Sequence, residues 1–304
     1  MHNQNIALGA ALIILSELAL LATGMIIKSM SAEVPTEQIV FVRNLFGLFI
    51  LIPWLIRKGI SRLHTKHIGL HLARGLVGLT AMVCLFYSWG HMPLAQASLL
   101  KQTSPIFIPI FAFFWINESI GLKTIIAIFI GFSGVVLIIN PGGTETQLNM
   151  TILIALAGAM LAGMAKVIIR KMSATETPGR IVFYFALVGT IVSAIPAMLS
   201  WVSLSWVQLG SLAAIAVFST IAQLSISKAY SHAPAGQLGP YTYTSVAFAA
   251  FFGWLIWGEV LNINTLIGIF IIVLAGVLAM TDRRISRIKA EQKQTVFDKD
   301  KQSK

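Results

Sequence analysis

Charged side chains are scarce in this sequence. Only 11% of its 304 residues are Asp, Glu, Lys or Arg, whereas 57% are hydrophobic and the mean hydropathy is +0.83. Soluble domains carry about 25% charged residues, so this chain has too few to cover a surface that faces water. We therefore expect a helical protein whose surface lies mostly in lipid.

Cysteine is nearly absent as well. Cys84 is the single one, which excludes an intramolecular disulfide and a cysteine-based metal site.

The net charge of +11 raises the alternative of nucleic-acid binding, but the basic residues lie in short loops and in the tail, without interleaved aromatic residues. No HExxH, GxSxG, Walker or CxxC motif is present. We expect no enzyme, no metal, no cofactor and no nucleic-acid partner.

Apolar segments long enough to cross a bilayer fill most of the chain. A spanning helix needs about 20 mostly apolar residues. The first segment is too long for the core of a signal peptide and lacks a clear cleavage site, so we expect it to be retained. The ten predicted spans cover residues 6–28, 38–56, 70–89, 95–115, 122–140, 151–169, 181–199, 207–227, 236–257 and 265–280.

The sequence repeats itself at an offset of 141 or 142 residues. Residues 91–118 return as 232–259, and residues 26–41 return as 168–183. Such a fixed offset indicates a duplicated unit of about 140 residues. The two units are predicted to occupy residues 6–140 and 151–281. Within them, the matched pair Glu118 and Glu259 is expected to cap a neighbouring helix or bind loop amides.

An odd number of spans in each unit has a geometric consequence. Because each unit holds five predicted spans, the second must enter the membrane from the opposite side, which gives two inverted repeats. Lys and Arg concentrate in the loops at 57–66 and 170–180 and in the tail at 282–304, so both termini are predicted to be cytoplasmic. We expect an all-α integral membrane protein of ten helices, followed by a disordered basic tail.

Charged side chains within the predicted spans are costly in lipid and mark function or pairing. Lys101 lies two turns into span four, and Lys166 lies in the small-residue run of span six. For both, contact with a substrate competes with a structural ion pair. Glu17 is the only carboxylate near the middle of a span. It is a candidate for proton coupling, and an ion pair with one of the cations is the alternative.

Two further cations, Arg43 and Arg74, lie nearer to span ends, where we expect them to snorkel or to cap a carbonyl. The excess of cations over carboxylates within the spans favours an anionic or zwitterionic substrate. The remaining substrate-binding candidates are polar or aromatic side chains of spans three, four and nine: Tyr87, Trp89, Gln102, Tyr241, Thr244 and Ser245.

The fourth span of each unit carries a recognisable pattern. Residues 93–97 (Pro-Leu-Ala-Gln-Ala), 104–107 (Ser-Pro-Ile-Phe) and 117–118 (Asn-Glu), together with 43–46 (Arg-Asn-Leu-Phe), resemble the EamA branch of the drug/metabolite transporter superfamily. The resemblance implies a bacterial inner-membrane carrier, often an exporter of amino acids or related metabolites, with a cavity between its repeats. Lys101 departs from the usual apolar or small residue at its position, and its counterpart is Thr242, which makes Lys101 a specificity candidate.

The sequence thus favours a secondary-active transporter that exports a small anionic or zwitterionic metabolite. A nucleotide- or vitamin-like planar substrate is the alternative within that class, and a membrane-embedded enzyme, sensor or scaffold is the alternative outside it. Small residues such as Gly131, Gly134 and Gly268 allow close helix packing within one chain or in a homodimer.

Overall fold

The chain folds into a bundle of apolar helices. The computed structural model describes residues 6–59, 63–116, 122–139, 150–173, 175–232, 241–242, 244–260, 263, 266–275 and 277–278, and these contain no β-strand. The helices are α1 (Ile6–Met30), α2 (Thr36–Lys58), α3 (Ile68–His91), α4 (Leu94–Lys101), α5 (Ser104–Ile116), α6 (Leu122–Ile139), α7 (Met150–Met172), α8 (Pro178–Leu199), α9 (Trp206–His232), α10 (Thr244–Trp257) and α11 (Leu266–Ala275).

Six of these helices, α1, α2, α3, α7, α8 and α9, are long and apolar enough to cross a membrane. The others are shorter apolar helices at predicted spans four, five, nine and ten. The count of ten spans stays a prediction. Glu118, the glycine- and proline-rich start of span nine (236–240) and the tail (282–304) lie outside the described residues.

The fourth predicted span is two helices rather than one. α4 ends at Lys101 and α5 begins at Ser104. Between them, the backbone N–H of Gln102 donates to the Leu99 carbonyl (2.9 Å) and that of Thr103 to the Leu100 carbonyl (3.0 Å). These i to i+3 bonds tighten the end of α4. Pro105 then stands in the first turn of α5, where its missing N–H needs no partner.

The largest helix contacts all join one repeat to the other. They are α1 with α9, α3 with α7, and α2 with α8. By position in the repeat, α1 corresponds to α7, α2 to α8, and α3 to α9. The contact of α1 with α9 therefore has its counterpart in the contact of α7 with α3, and α2 packs against its own counterpart. This is the contact pattern of two units related by a pseudo-twofold axis.

Small residues allow the close helix contacts. A Cβ on Gly158 of α7 would lie 2.6 Å from the Cβ of Cys84 on α3, and a Cβ on Gly24 of α1 would lie 2.9 Å from the Trp89 ring. Gly134 of α6 packs in the same way against Ile272 of α11. The small residues of spans five and ten thus pack against each other within the monomer.

Candidate functional site

An ion pair lies beside the break between α4 and α5. The Nζ of Lys101, the last residue of α4, lies 2.6 Å from Oε2 of Glu17 on α1, and the two side chains are 12% and 4% exposed. Of the two alternatives for these residues, the ion pair is therefore present in this conformation. A buried pair holds both charges at lower cost than either one alone.

Lys166 of α7 approaches the same place from the other repeat. Its Nζ donates to the Oγ of Ser104, at a distance of 3.1 Å. The ammonium also interacts electrostatically with both Glu17 and Lys101. Two ammonium groups and one carboxylate thus influence one another here, and only Lys101 is shown in direct contact with Glu17.

Gln102 joins the helix break to α10. Its Nε2 donates to the Thr242 carbonyl and to the Oγ of Ser245, each at 2.6 Å. The Ser245 hydroxyl in turn donates to the Thr242 carbonyl at 3.0 Å. Since Thr242 is the counterpart of Lys101, the neighbour of Gln102, the break in span four meets the corresponding segment of the second repeat here. The Oε1 of Gln102 is buried and has no hydrogen-bond partner among the described residues.

A small pocket borders Lys101 between α3, α4 and α7. Its cavity volume is about 20 Å³. Ligand sites usually measure about 300–1,000 Å³, so the pocket beside Lys101 is too small for a substrate in this conformation. Apart from Lys101 and Ser88, the lining is small or apolar: Ala81, Leu85, Ala97, Ala155, Gly158, Ala159 and Ala162.

The other predicted substrate-binding residues make their contacts elsewhere. Tyr87 stacks on the His91 ring, with centroids 3.9 Å apart. Trp89 is buried against Phe86, and its Nε1 has no partner among the described residues. Tyr241 is 37% exposed, and its carbonyl accepts the Thr244 hydroxyl at 2.7 Å. The structure therefore brings together Glu17, Lys101, Lys166, Gln102 and Ser245.

Arg43 and Arg74 do not behave as the sequence predicted. Both are buried, at 2% and 4% exposure, so the prediction that they snorkel to the surface is wrong. Each guanidinium instead lies over the ring of Phe185 on α8. Depth along a span could not reveal this arrangement. The available signal was the repeat itself, because Phe185 is the counterpart of Arg43 at an offset of 142.

Glu259 connects several helices at one end of the bundle. Its carboxylate pairs with the Nζ of Lys28 at the end of α1 and accepts the backbone N–H of Leu94 at the start of α4, at 2.9 Å. The same ammonium donates to the Met92 carbonyl at 3.2 Å. This Glu259 cluster ties α1, α4 and the residues after α10 together, and its contact with the Leu94 amide is of the predicted kind.

Glu176, between α7 and α8, closes the other end. Thr65 Oγ1 donates to one of its oxygens and Arg180 Nη1 to the other, both at 2.6 Å, and His71 Nε2 lies 3.5 Å away. Burial opposes ionisation, but the hydrogen bonds from Thr65 and Arg180 outweigh it and hold the pKa of Glu176 below its usual value. His71 near the start of α3 and Met92 directly after its end are 21 residues apart, so the Glu176 cluster and the Glu259 cluster are separated by about 30 Å.

The sequence pattern of the EamA-like transporter family matches the chain twice, over residues 7–140 and 149–281. The chain belongs to the EamA-like transporter family. Like other members, it is a multi-pass membrane protein, and it is a transporter rather than an enzyme. Its substrate is accordingly a small molecule.

Several curated EamA-like and related transporters are similar over most of their length. The pseudopaline exporter CntI of Pseudomonas aeruginosa is 33% identical over 88% of this chain and 94% of its own. A riboflavin transporter of Brucella anthropi is 28% identical, over 81% and 88%. An S-adenosylmethionine uptake transporter of Rickettsia bellii is 25% identical, over 88% and 91%.

One solved crystal structure also resembles this EamA-like transporter. It matches with a TM-score of 0.64, at 20% sequence identity, and the match covers 91% of this chain and 98% of the other. At this identity the similarity concerns the fold alone.

Proposed function

We propose that this protein is a secondary-active exporter of a small zwitterionic or anionic metabolite, such as an amino acid. It works by alternating access between inverted repeats at residues 6–140 and 151–281. It lies in the inner membrane with both termini, and the tail at 282–304, in the cytoplasm. The observation that carries the proposal is the buried pair of Lys101 and Glu17 at the break of span four, with Lys166 beside it.

This cluster offers both charges of a zwitterion a partner. A substrate carboxylate binds to the ammonium groups of Lys101 and Lys166, and a substrate ammonium forms an ion pair with Glu17. Protonation of Glu17 removes the partner of the substrate ammonium. Proton and substrate therefore compete for one carboxylate, which is the requirement for export driven by inward proton flow.

The two ends of the bundle supply the support for alternating access. The Glu176 cluster and the Glu259 cluster lie about 30 Å apart on either side of Lys101. Each consists of a few polar contacts between largely buried side chains, and these groups exchange their partners for water when that end opens. Opening one cluster while the other stays closed exposes the central site to one side of the membrane at a time.

The relatives leave two alternatives within the family. A relative at 33% identity is named as an exporter, which supports the direction of export. The others are named for riboflavin transport and for S-adenosylmethionine uptake, so a planar vitamin- or nucleotide-like substrate is the second candidate.

Counterflow in proteoliposomes tests the proposal. Vesicles are loaded with one unlabelled metabolite at a time, and entry of the same labelled compound is measured for amino acids, riboflavin and S-adenosylmethionine. We expect counterflow of an amino acid, its loss in Lys101→Ala, and its retention in Arg57→Ala, an exposed basic residue. Counterflow of riboflavin or S-adenosylmethionine alone favours the second candidate. Full activity of Lys101→Ala contradicts the assigned site.

The orientation has its own test. A reporter that is active only in the periplasm is fused after Lys289. It is expected to stay inactive there, and activity would place the C-terminus on the opposite side.

A further inference from the structure

A second group of buried charges lies apart from Lys101. Arg43 of α2 and Arg74 of α3 approach the ring of Phe185 on α8, with the guanidinium carbons 5.5 and 4.3 Å from its centroid. Both side chains are more than nine-tenths buried. Two like charges buried together are expensive unless other groups compensate them. The contacts with the aromatic face offset a part of this cost.

The hydrogen bonds of the two guanidinium groups go to neutral acceptors. Arg43 donates from Nε to the Ser219 hydroxyl and from Nη1 to the Asn44 side chain, both at 2.7 Å. Arg74 donates from Nη2 to Gln223 Oε1 at 3.2 Å. The Nε and Nη1 of Arg74 are buried without a hydrogen-bond partner among the described residues. Within that same part of the chain, no carboxylate forms an ion pair with either arginine.

Neighbouring residues hold this arrangement in place. Asn44 is fixed by a hydrogen bond from its Nδ2 to the Val40 carbonyl, at 2.8 Å. A Cβ on Gly189 would lie 2.6 Å from the Asn44 side chain, so the position of the Asn44 side chain requires a glycine at 189. A Cβ on Gly78 would overlap Nη1 of Arg74. Glycine at these two positions thus leaves room for the polar groups. This fit favours a site shaped around the two arginines over chance packing.

The position of the cluster favours a place on the transport path. Arg74 precedes Ala81, which lines the pocket at Lys101, by seven residues on α3, or about 10 Å. Arg43 contacts Phe185, its own counterpart in the second repeat. Two positions related by a twofold axis touch only near that axis. The cluster therefore lies at the centre of the bundle, between the repeats.

We infer that Arg43 and Arg74 form a second ligand site, which binds an organic carboxylate. The free N–H groups of Arg74 are those of Nε and Nη1, and each can donate one charge-assisted hydrogen bond to an anionic oxygen such as that of a carboxylate. The ring of Phe185 covers a face of each guanidinium and leaves the donor edges available. The claim that the site lies on the transport path rests on the proposed function. The claim that the purified protein binds a carboxylate at this site does not.

Thermal unfolding with succinate as the probe tests the inference. The unfolding temperature of the purified full-length protein is followed by tryptophan fluorescence while sodium succinate replaces sodium chloride at constant ionic strength and pH. A ligand that binds only the folded state raises this temperature, and above its dissociation constant the rise follows the logarithm of the ligand concentration. We expect such a rise in the wild type and in the exposed control Arg57→Gln. In Arg43→Gln and Arg74→Gln, the same rise should need at least about tenfold more succinate.

Two further variants separate this site from the one at Lys101. Lys101→Met is expected to lose transport and to keep the response to succinate. Arg74→Lys keeps the charge but lacks the planar guanidinium with its free Nε and Nη1 donors, so it should also bind succinate more weakly, and it replaces Arg74→Gln if that variant fails to fold.

Three results overturn the inference: no rise of the unfolding temperature with succinate in the wild type, an unchanged response in both Arg74 variants, or a loss in Lys101→Met equal to that in Arg74→Gln. A response to inorganic phosphate but not to succinate contradicts the assigned ligand class. Succinate binding without transport of any metabolite contradicts the proposed function and leaves the site standing, whereas transport without any response to succinate overturns the site alone.

Discussion

Lys28 and Glu259 are 231 residues apart in the sequence and form an ion pair at one end of the bundle. Their partners extend the contact to the turn between α3 and α4, through the Met92 carbonyl and the Leu94 amide. A few side-chain atoms thus decide whether α1, α4 and the end of α10 stay together.

Removal of this ion pair is expected to open the end of the bundle. In Glu259→Gln the attraction to Lys28 is lost, so the conformation open on this side should be populated more often. A cysteine is placed in the pocket by Ser88→Cys in a Cys84→Ala background, and its labelling by a membrane-impermeant maleimide is measured. We expect labelling to be several-fold faster with Glu259→Gln than without it.

The control for this prediction is Glu33→Gln. Glu33 accepts a hydrogen bond from Gln208 at the same end of the bundle but is exposed, so its loss should have little effect on the labelling rate. Equal acceleration by both substitutions would show that the ion pair has no special role.

The pair of Glu17 and Lys101 should behave as one unit in stability measurements. Lys101→Met leaves a buried carboxylate without its partner and should lower the free energy of unfolding by about 3 kcal/mol. The double substitution Glu17→Gln/Lys101→Met removes both charges, and we expect it to recover much of that loss without recovering transport. A double-mutant cycle from unfolding curves measures the coupling. Simple additivity of the two substitutions is the result that contradicts this prediction.

Glu17 is expected to set the pH dependence of transport. If proton and substrate compete for its carboxylate, the apparent affinity for substrate in counterflow should fall as the pH falls. Glu17→Gln removes the titrating group, so its remaining counterflow should vary little with pH. Glu37→Gln, which changes an exposed carboxylate of α2, is the matched control. A Glu17→Gln protein with the wild-type pH profile would falsify coupling through this residue.

Glu176 should contribute stability near neutral pH and not in acid. Because its folded pKa lies below the usual 4.5, the contribution is present above the unfolded pKa and is lost as the pH falls through the folded value. Two hydrogen bonds to a charged group are involved, so Glu176→Gln should lower the free energy of unfolding by about 2 kcal/mol at pH 7.

Unfolding curves of the wild type and Glu176→Gln over a range of pH measure this effect. The difference should shrink as the solution is acidified, whereas Glu37→Gln should differ little from the wild type at any pH. A difference that grows in acid contradicts the lowered pKa.

Much of the architecture was predictable from the sequence because it depends on periodic and local signals. The apolar segments identified the six long helices, and the fixed offset identified two repeats. The break within span four was missed because hydropathy is averaged over a window of many residues. The two polar residues at the break, Gln102 and Thr103, hardly lower the mean hydropathy of the apolar segment around them, although Pro105 was a local sign of irregularity.

The sequence predicted which charged residues belong to the site, but not which of them contact each other. Glu17, Lys101 and Lys166 were identified because charge is costly in lipid. Which cation pairs with Glu17 depends on how α1 packs against α4 and α7, and a single sequence does not specify that distance. The depth of Arg43 in its span was known, but the direction of its side chain follows from the packing of α2 against α8.

The packing of α1 against α9 has a consequence for biosynthesis. Ser16 of α1 donates a hydrogen bond to the Ala222 carbonyl of α9, which is made 206 residues later. At about 5–20 residues per second, the ribosome needs roughly 10 to 40 s to supply that partner. During this interval, Ser16 and the face of α1 that packs against α9 have no partner from the second repeat. Polar groups in the early segments of the nascent chain therefore depend on contacts with the insertion machinery, or with lipid headgroups, until the second repeat has been synthesised and inserted.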